Sequence, residues 1–257
     1  MLLTIDIGNS SIKAAIFDKD KLVHHFREKE LLNFISIMKG HSLENVAICS
    51  VVPQLTKSLS EKIRKEFNIT PFILVKDIKS NIKIEYRTPA TLGIDRLCSV
   101  EGAFFLFKNS EDFKHYDVNT FILSIDFGTA TTINIIEYPG KFIGGLIAPG
   151  IEMMFDSLNK KTAQLPDVDV SNFHSAIGND TNSSIASGVI TSVTGMIEEI
   201  IKYLKKEKSA MDVFIYITGG NAKKIIPHLI FDFVYEENLV LYGVKELWKL
   251  KNKQLSC

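Results

Sequence analysis

Two stretches of this chain carry one pattern. Residues 2–18 read LLTIDIGNSSIKAAIFD and residues 122–137 read ILSIDFGTATTINIIE. In each, apolar residues lead to Asp-x-Gly, small hydroxyl or amide residues come next, and a second apolar run closes the pattern. Asp6 answers to Asp126 and Gly8 to Gly128. The apolar and β-branched content on both sides predicts strand, turn, strand, and Asp-x-Gly with Ser or Thr is turn chemistry. One such hairpin is ordinary. Repetition at a domain-sized separation instead predicts a fold built twice from the same supersecondary unit. Backbone N–H groups in such a turn make an anion-binding concavity, and Ser and Thr hydroxyls add donors. The leading Asp can hold a divalent cation or its water shell. The repeat therefore points to a cradle for phosphates.

A third glycine element lies at 213–224, VFIYITGGNAKK. An apolar strand, 213–217, runs into Gly219 and Gly220, and Asn221 and Ala222 open a helix. This junction is equally a plain strand-to-helix turn or a flat passage against a nucleoside. Residues 46–53, VAICSVVP, look like its counterpart in the first half, with Pro53 suited to a first helical turn. Helices are expected at 55–67, 91–107, 183–205 and 239–251. The alternation of these elements is that of an α/β protein. The polar stretch 108–119 is expected to join two halves, 1–115 and 116–257. The last helix is allowed to pack back on the first half. A length of 257 residues suits this division, at roughly 100–200 residues per domain.

Bulk properties narrow the partners. Lys plus Arg number 30 and Asp plus Glu number 30, so the formal net charge is zero. That balance argues against a nucleic-acid partner, and an anionic ligand must be held by local groups. Cys49, Cys98 and Cys257 are odd in number and widely spaced, as expected of reduced thiols in the cytoplasm. The N-terminal apolar run ends at Asp6 without a basic region or cleavage site, unlike a signal peptide. No apolar stretch is expected to span a membrane.

The pair DIGNSS (6–11) and DFGTATT (126–132), with ITGGNA (217–222), resembles the superfamily of acetate and sugar kinases, heat-shock chaperone ATPases and actin. That resemblance implies two duplicated ribonuclease H-like (actin-like ATPase) domains with a cleft between them. The stretches IEYRTPATLGIDRLCSVEGA (84–103), GGLIAPGIEMMFDSLNKKTAQLP (144–166) and GNDTNSSIASG (178–188) narrow the resemblance to the type III pantothenate kinases. The narrower resemblance implies roles for individual residues. By it, Asp6, Ile7, Gly8, Asn9, Ser10, Ser11, Ile12 and Lys13 correspond to the first ATP-phosphate loop, with Asp6 near magnesium, directly or through water. Thr129 corresponds to an ATP contact. Tyr86, Gly93, Ile94, Asp95 and Arg96 correspond to the pantothenate-binding segment, with Asp95 the proton acceptor. Thr181 corresponds to a substrate contact at or near a homodimer interface. Asp126 corresponds to the ligand of an activating monovalent cation, potassium or ammonium. The family commonly has an Asp eight residues after Asp126, where this chain has Asn134; a neutral side chain there puts the cation dependence in question.

The chemistry is consistent with these types. Phosphoryl transfer to a primary hydroxyl rests on positioning and charge stabilisation. A carboxylate such as Asp95 can take the hydroxyl proton, and Arg96 can pair with an anionic oxygen of substrate or phosphoryl group. Neighbouring side chains on a helix diverge by about 100°, so the two face different partners. Taken alone, an Asp-Arg pair on a helix is a solvated surface pair, and Lys13 an exposed lysine. His24 and His25 read as surface residues of a polar connection, and Lys160 and Lys161 as a solvated face. The expected reaction is ATP-dependent phosphorylation of pantothenate to 4'-phosphopantothenate, the first step of coenzyme A biosynthesis. The alternatives are a kinase of the same fold for another small hydroxy acid, and a non-catalytic nucleotide-binding regulator.

Overall fold

The computed structural model describes residues 1–75, 77–110, 113, 119–162 and 165–255. Most of the 108–119 stretch, Ala163 and Gln164, and Cys257 lie outside the described residues. In chain order the elements are β1 (Leu2–Ile7), β2 (Ile12–Asp18), β3 (Lys21–Glu28), α1 (Leu31–Met38), β4 (Asn45–Ser50), α2 (Pro53–Phe67), β5 (Phe72–Ile73), β6 (Lys83–Ile84), α3 (Ile94–Lys108), β7 (Thr120–Phe127), β8 (Ala130–Glu137), β9 (Lys141–Pro149), α4 (Ile151–Lys161), α5 (Thr181–Glu207), β10 (Asp212–Thr218), α6 (Ala222–Ile225), β11 (Val234–Tyr235) and α7 (Leu239–Leu255). Two compact units result. One comprises Met1–His115, Gly140–Ile143 and Asn238–Cys257, the other Tyr116–Pro139 and Gly144–Glu237.

In the first unit the strands lie in the order β3-β2-β1-β4-β5. β1 is antiparallel to β2 and parallel to β4. β1 reads as a continuous apolar run because both faces of the sheet are covered. Leu3, Ile5 and Ile7 face a core with Phe34 and Met38 of α1 and Leu59 and Ile63 of α2. The alternate residues face α7, where Ala15 and Phe17 of β2 meet Leu241. Thr4, fully buried on this face, donates its hydroxyl to Ala15 O at 3.2 Å.

Helices α3 and α7 cross with their backbones close together. A Cβ built at Gly102 would collide with Leu239 O, and one at Gly243 with Cys98 O. Only glycine permits that approach. Lys245 of α7, fully buried, lies 4.0 Å from the Phe105 ring centroid and 3.0 Å from Asp20 Oδ1 in the β2–β3 turn. Hydrogen bonds from Lys249 and Lys245 hold the Asp20 carboxyl below its ordinary range.

The second unit repeats this plan. In its six-stranded sheet, strands β9-β8-β7-β10-β11 follow the order of β3-β2-β1-β4-β5, and β6 is added outside β9. β7 is antiparallel to β8 and parallel to β10, and β10 is parallel to β11. The duplication seen in two short motifs thus extends to five strands of each sheet. The register makes Cys49 and Thr218 equivalent, since Cys49 stands beside Asp6 and Thr218 beside Asp126.

Three expectations need correction. His24 and His25 lie in β3, paired with Ile16 and Ala15, rather than in a connection; an edge strand with one solvated face tolerates such residues. The third helix starts at Ile94, not at 91, because Pro89–Thr91 forms its own 3-10 turn and Gly93, with φ −62° and ψ 137°, is extended. Finally, α5 is long and apolar enough to cross a membrane by length and composition, with a mean hydropathy of 1.3 over 18 residues. It carries no charge before Glu198. Ala186, Val189, Ile190, Val193 and Ile197 are buried at spacings of three and four, the stripe of a helix packed on one face.

Candidate active site

In the first unit the site is built at the carboxyl end of β1. Asp6 is half-buried and points to the face that α3 and α7 cover. Beyond it, Gly8 N–H donates to Ser11 O at 3.2 Å and closes the turn Gly8–Ser11. Asn9 and Ser10 stand exposed at its tip. Ile7 and Ile12 are buried and anchor the turn, and Lys13 stands across from Asp6 in the ladder. Arg27 on β3, which no sequence motif marks, joins them. Its Nε donates to Ser11 Oγ at 2.9 Å, so a guanidinium stands beside the turn.

The substrate segment comes to the same place. Gly93 caps α3, and Asp95 and Arg96 fall in its first turn, where the helix dipole favours negative charge. Asp95 is half-buried. Ile94, 6% exposed, is a core residue; Arg96, 7% exposed, is buried rather than solvated. The Arg96 guanidinium lies 6.0 Å from the Tyr86 ring centroid and 5.8 Å from that of Phe142, and the two rings are 5.8 Å apart. Phe142 was not singled out from the sequence. It arrives because β6 pairs Lys83 with Lys141 and Ile84 with Phe142.

A buried thiol pair locates the two carboxylates. Cys49, next to Asp6 on β4, and Cys98, one turn beyond Asp95 on α3, are both fully buried and hydrogen-bonded to each other. That bond and burial push the Cys49 thiol well up; burial chiefly raises Cys98. Asp6 and Asp95 both lie close enough for their fields to act on each thiol. The two carboxylates thus lie near the same thiol pair, Asp6 beside Cys49 in the ladder and Asp95 one turn before Cys98, although they come from a strand end and a helix start. Thiols held protonated in such a place are inert.

In the second unit Asp126 is half-buried at the end of β7, and Thr129 is exposed in the turn after it. Gly128 N–H donates to Ala130 O at 3.1 Å, and Gly150 N–H to Thr129 O at 3.0 Å. The 217–222 motif closes on this turn. Asn221 N–H donates to Phe127 O at 2.9 Å, and its amide to Gly128 O at 3.4 Å. Gly219 has φ +104°, and a Cβ there would lie 2.5 Å from Asp126 Oδ1 and from Phe127 backbone atoms. The bare backbone of Gly219 is thus packed against the end of β7 with no room for a side chain. Asn134 is fully buried on β8, across from Ser124 and one rung behind Asp126 on the same sheet face. Thr181 is the first residue of α5, exposed beyond the N-cap Asp180. It lines a cavity of about 910 Å³ with Met154, Leu158, Leu165, Ile185 and Val189.

Among the described residues no group of three or more His, Cys, Asp or Glu could hold a metal ion. Single carboxylates at the ends of β1 and β7 instead suit a hard cation that shares its remaining ligands with phosphate oxygens and water.

The profile of the type III pantothenate kinases matches residues 2–203. A type III pantothenate kinase of Legionella pneumophila (strain Corby) is 35% identical over 259 residues, covering 95% of this chain and 97% of its own. One from Dictyoglomus turgidum is 35% identical, covering 89% and 90%. Among solved structures, a Campylobacter jejuni protein assigned to the Baf family of transcriptional activators superposes with a TM-score of 0.60 at 21% identity, covering 98% and 99%. A ROK hexokinase from Thermus thermophilus does so with a TM-score of 0.50 at 10% identity, again covering 98% and 99%. At these identities the structures bear on the fold alone, which is the duplicated ribonuclease H-like fold of sugar kinases.

Proposed function

The chain belongs to the type III pantothenate kinase family, and on that premise we propose how its residues divide the work. Its reaction is the ATP-dependent phosphorylation of pantothenate in coenzyme A biosynthesis. Asp95 takes the proton of the attacking hydroxyl as the phosphoryl group is transferred. Tyr86, Gly93, Ile94 and Arg96 hold pantothenate, with the Arg96 guanidinium pairing with its carboxylate. The turn from Asp6 to Lys13 donates N–H groups and hydroxyls to ATP phosphates, and Thr129 makes a further ATP contact. Magnesium, held at Asp6 directly or through water, supplies neutralisation of phosphate charge when bound. Asp126 holds the monovalent cation, potassium or ammonium, with Asn134 contributing no charge behind it. Thr181 reaches substrate in a homodimer, and the enzyme works in the cytoplasm.

One observation supports this division above the others. Asp6 stands beside Cys49 in the β1–β4 ladder and Asp95 one turn before Cys98 on α3, and the two thiols meet in the core, which supports a proton acceptor near the phosphate turn. Purified protein with ATP, magnesium and pantothenate should yield phosphopantothenate, and potassium or ammonium should raise the rate where sodium does not. Turnover of another small hydroxy acid with pantothenate untouched would reject the substrate. Rates indifferent to the monovalent ion would reject the role given to Asp126.

A further inference from the structure

The substrate segment contains a buried carboxylate for which phosphoryl transfer itself has no use. Glu101 on α3 is 1% exposed. Its oxygens accept three hydrogen bonds from one short piece of chain. Ser80 Oγ donates at 2.5 Å and Asn81 N–H at 2.6 Å to Oε1, and the Asn81 amide donates at 3.0 Å to Oε2. Ser80 Oγ in turn accepts from Ile82 N–H at 3.0 Å. Burial pushes the Glu101 carboxyl up, and the bonds from Ser80 and Asn81 oppose that shift. Burying a charge is costly, and an apolar residue of similar volume would serve packing as well or better. What a carboxylate adds is direction, since it fixes two residues of a loop to one point on a helix.

That loop leads to the substrate contacts. From Ile82 the chain enters β6, where Lys83 N–H donates to Gly140 O and Glu85 N–H to Phe142 O, both at 2.9 Å. Tyr86 comes next, against Phe142 and below the Arg96 guanidinium. Arg96 and Asp95 sit on the helix that bears Glu101. Residues 80–86, the Phe142 strand and α3 thus close a triangle with Glu101 at one corner.

We propose that Glu101 is a positioning residue for the acceptor substrate: it locks residues 80–86 onto α3, so that Tyr86 keeps a fixed place beside Arg96 and the two grip a small carboxylate-bearing alcohol. This rests on the reading that Tyr86 and Arg96 contact pantothenate. It concerns affinity for the acceptor and leaves the nucleotide and the proton transfer alone.

The test compares Glu101→Ala, the near-isosteric Glu101→Gln, and Glu101→Gln combined with Asn81→Asp. The glutamine variant keeps the acceptor for Ser80 Oγ and Asn81 N–H but sets one amide donor against another. The combined variant exchanges donor and acceptor and restores the third bond. The pantothenate KM should rise roughly tenfold or more in Glu101→Ala, less in Glu101→Gln, and return towards wild type in the combined variant. The turnover number and the KM for ATP should stay within about twofold. A lower melting temperature with an unchanged pantothenate KM, or an equal loss for both substrates, would reduce Glu101 to scaffold and overturn the inference. A wild-type protein silent on pantothenate would instead sink the functional reading beneath it.

Discussion

Asp95→Asn should lower turnover about a hundredfold to ten-thousandfold, the range for loss of a positioned proton acceptor. The substitution removes a charge and a proton-accepting oxygen while keeping shape. Asp95 lies in the first turn of α3, which is anchored by buried Ile94 and Leu97, so the helix start should persist. Because the group acts in the transition state, turnover and turnover over KM should fall together. ATP affinity, measured by titration calorimetry, should change by less than about twofold, since no phosphate contact is assigned to Asp95. Loss of ATP binding would mean that Asp95 belongs with the phosphate turn or a magnesium ligand set.

Gly219→Ala should damage the second unit through both backbone strain and a steric clash. At φ +104° an alanine is strained by roughly 1–2 kcal/mol. Its Cβ would also sit 2.5 Å from Asp126 Oδ1 and from Phe127 backbone atoms, with no flexible side-chain end on the Phe127 side to give way. The strand end must shift, and Asp126 and the Asn221 hydrogen bonds to Phe127 and Gly128 shift with it. Such overpacking costs about 1–3 kcal/mol. The melting temperature should fall by at least about 4 °C, and ATP affinity at least roughly tenfold. An alanine variant that binds ATP like wild type would show that this turn does not touch the nucleotide.

The duplicated scaffold was legible because its signals are local. Asp-x-Gly between apolar runs announces a hairpin wherever it occurs, and Pro53 and the 217–222 motif mark the helices that come after β4 and β10. Two such signals, placed alike, were enough to anticipate a repeated unit; the strand order the two units share, and the turn after Asp126 being one residue shorter than that after Asp6, came from the structure. The remainder depends on pairings far apart in the chain. Phe142 reaches Tyr86 and Arg96 only through the β6–β9 ladder, which links residues 83–84 to 141–142. Arg27 reaches Ser11 across a strand pair. Glu101 reads as one more polar residue on a helix until its partners, Ser80 and Asn81, are seen. Cys49 and Cys98 looked unrelated because neither spacing nor motif links them; β4 and α3 bring them together in the core. Arg96 reads as solvated if taken alone, whereas two aromatic rings and the α3 packing bury it.

The central claim is that Asp95 receives the acceptor's proton beside the β1 phosphate turn. A crystal structure with pantothenate and a non-hydrolysable ATP analogue tests that directly. The primary hydroxyl of pantothenate should lie within about 2.6–3.2 Å of an Asp95 carboxylate oxygen, with Tyr86 and Arg96 around the rest of the molecule. Pantothenate bound elsewhere, or bound with its hydroxyl facing away from Asp95, would contradict the claim.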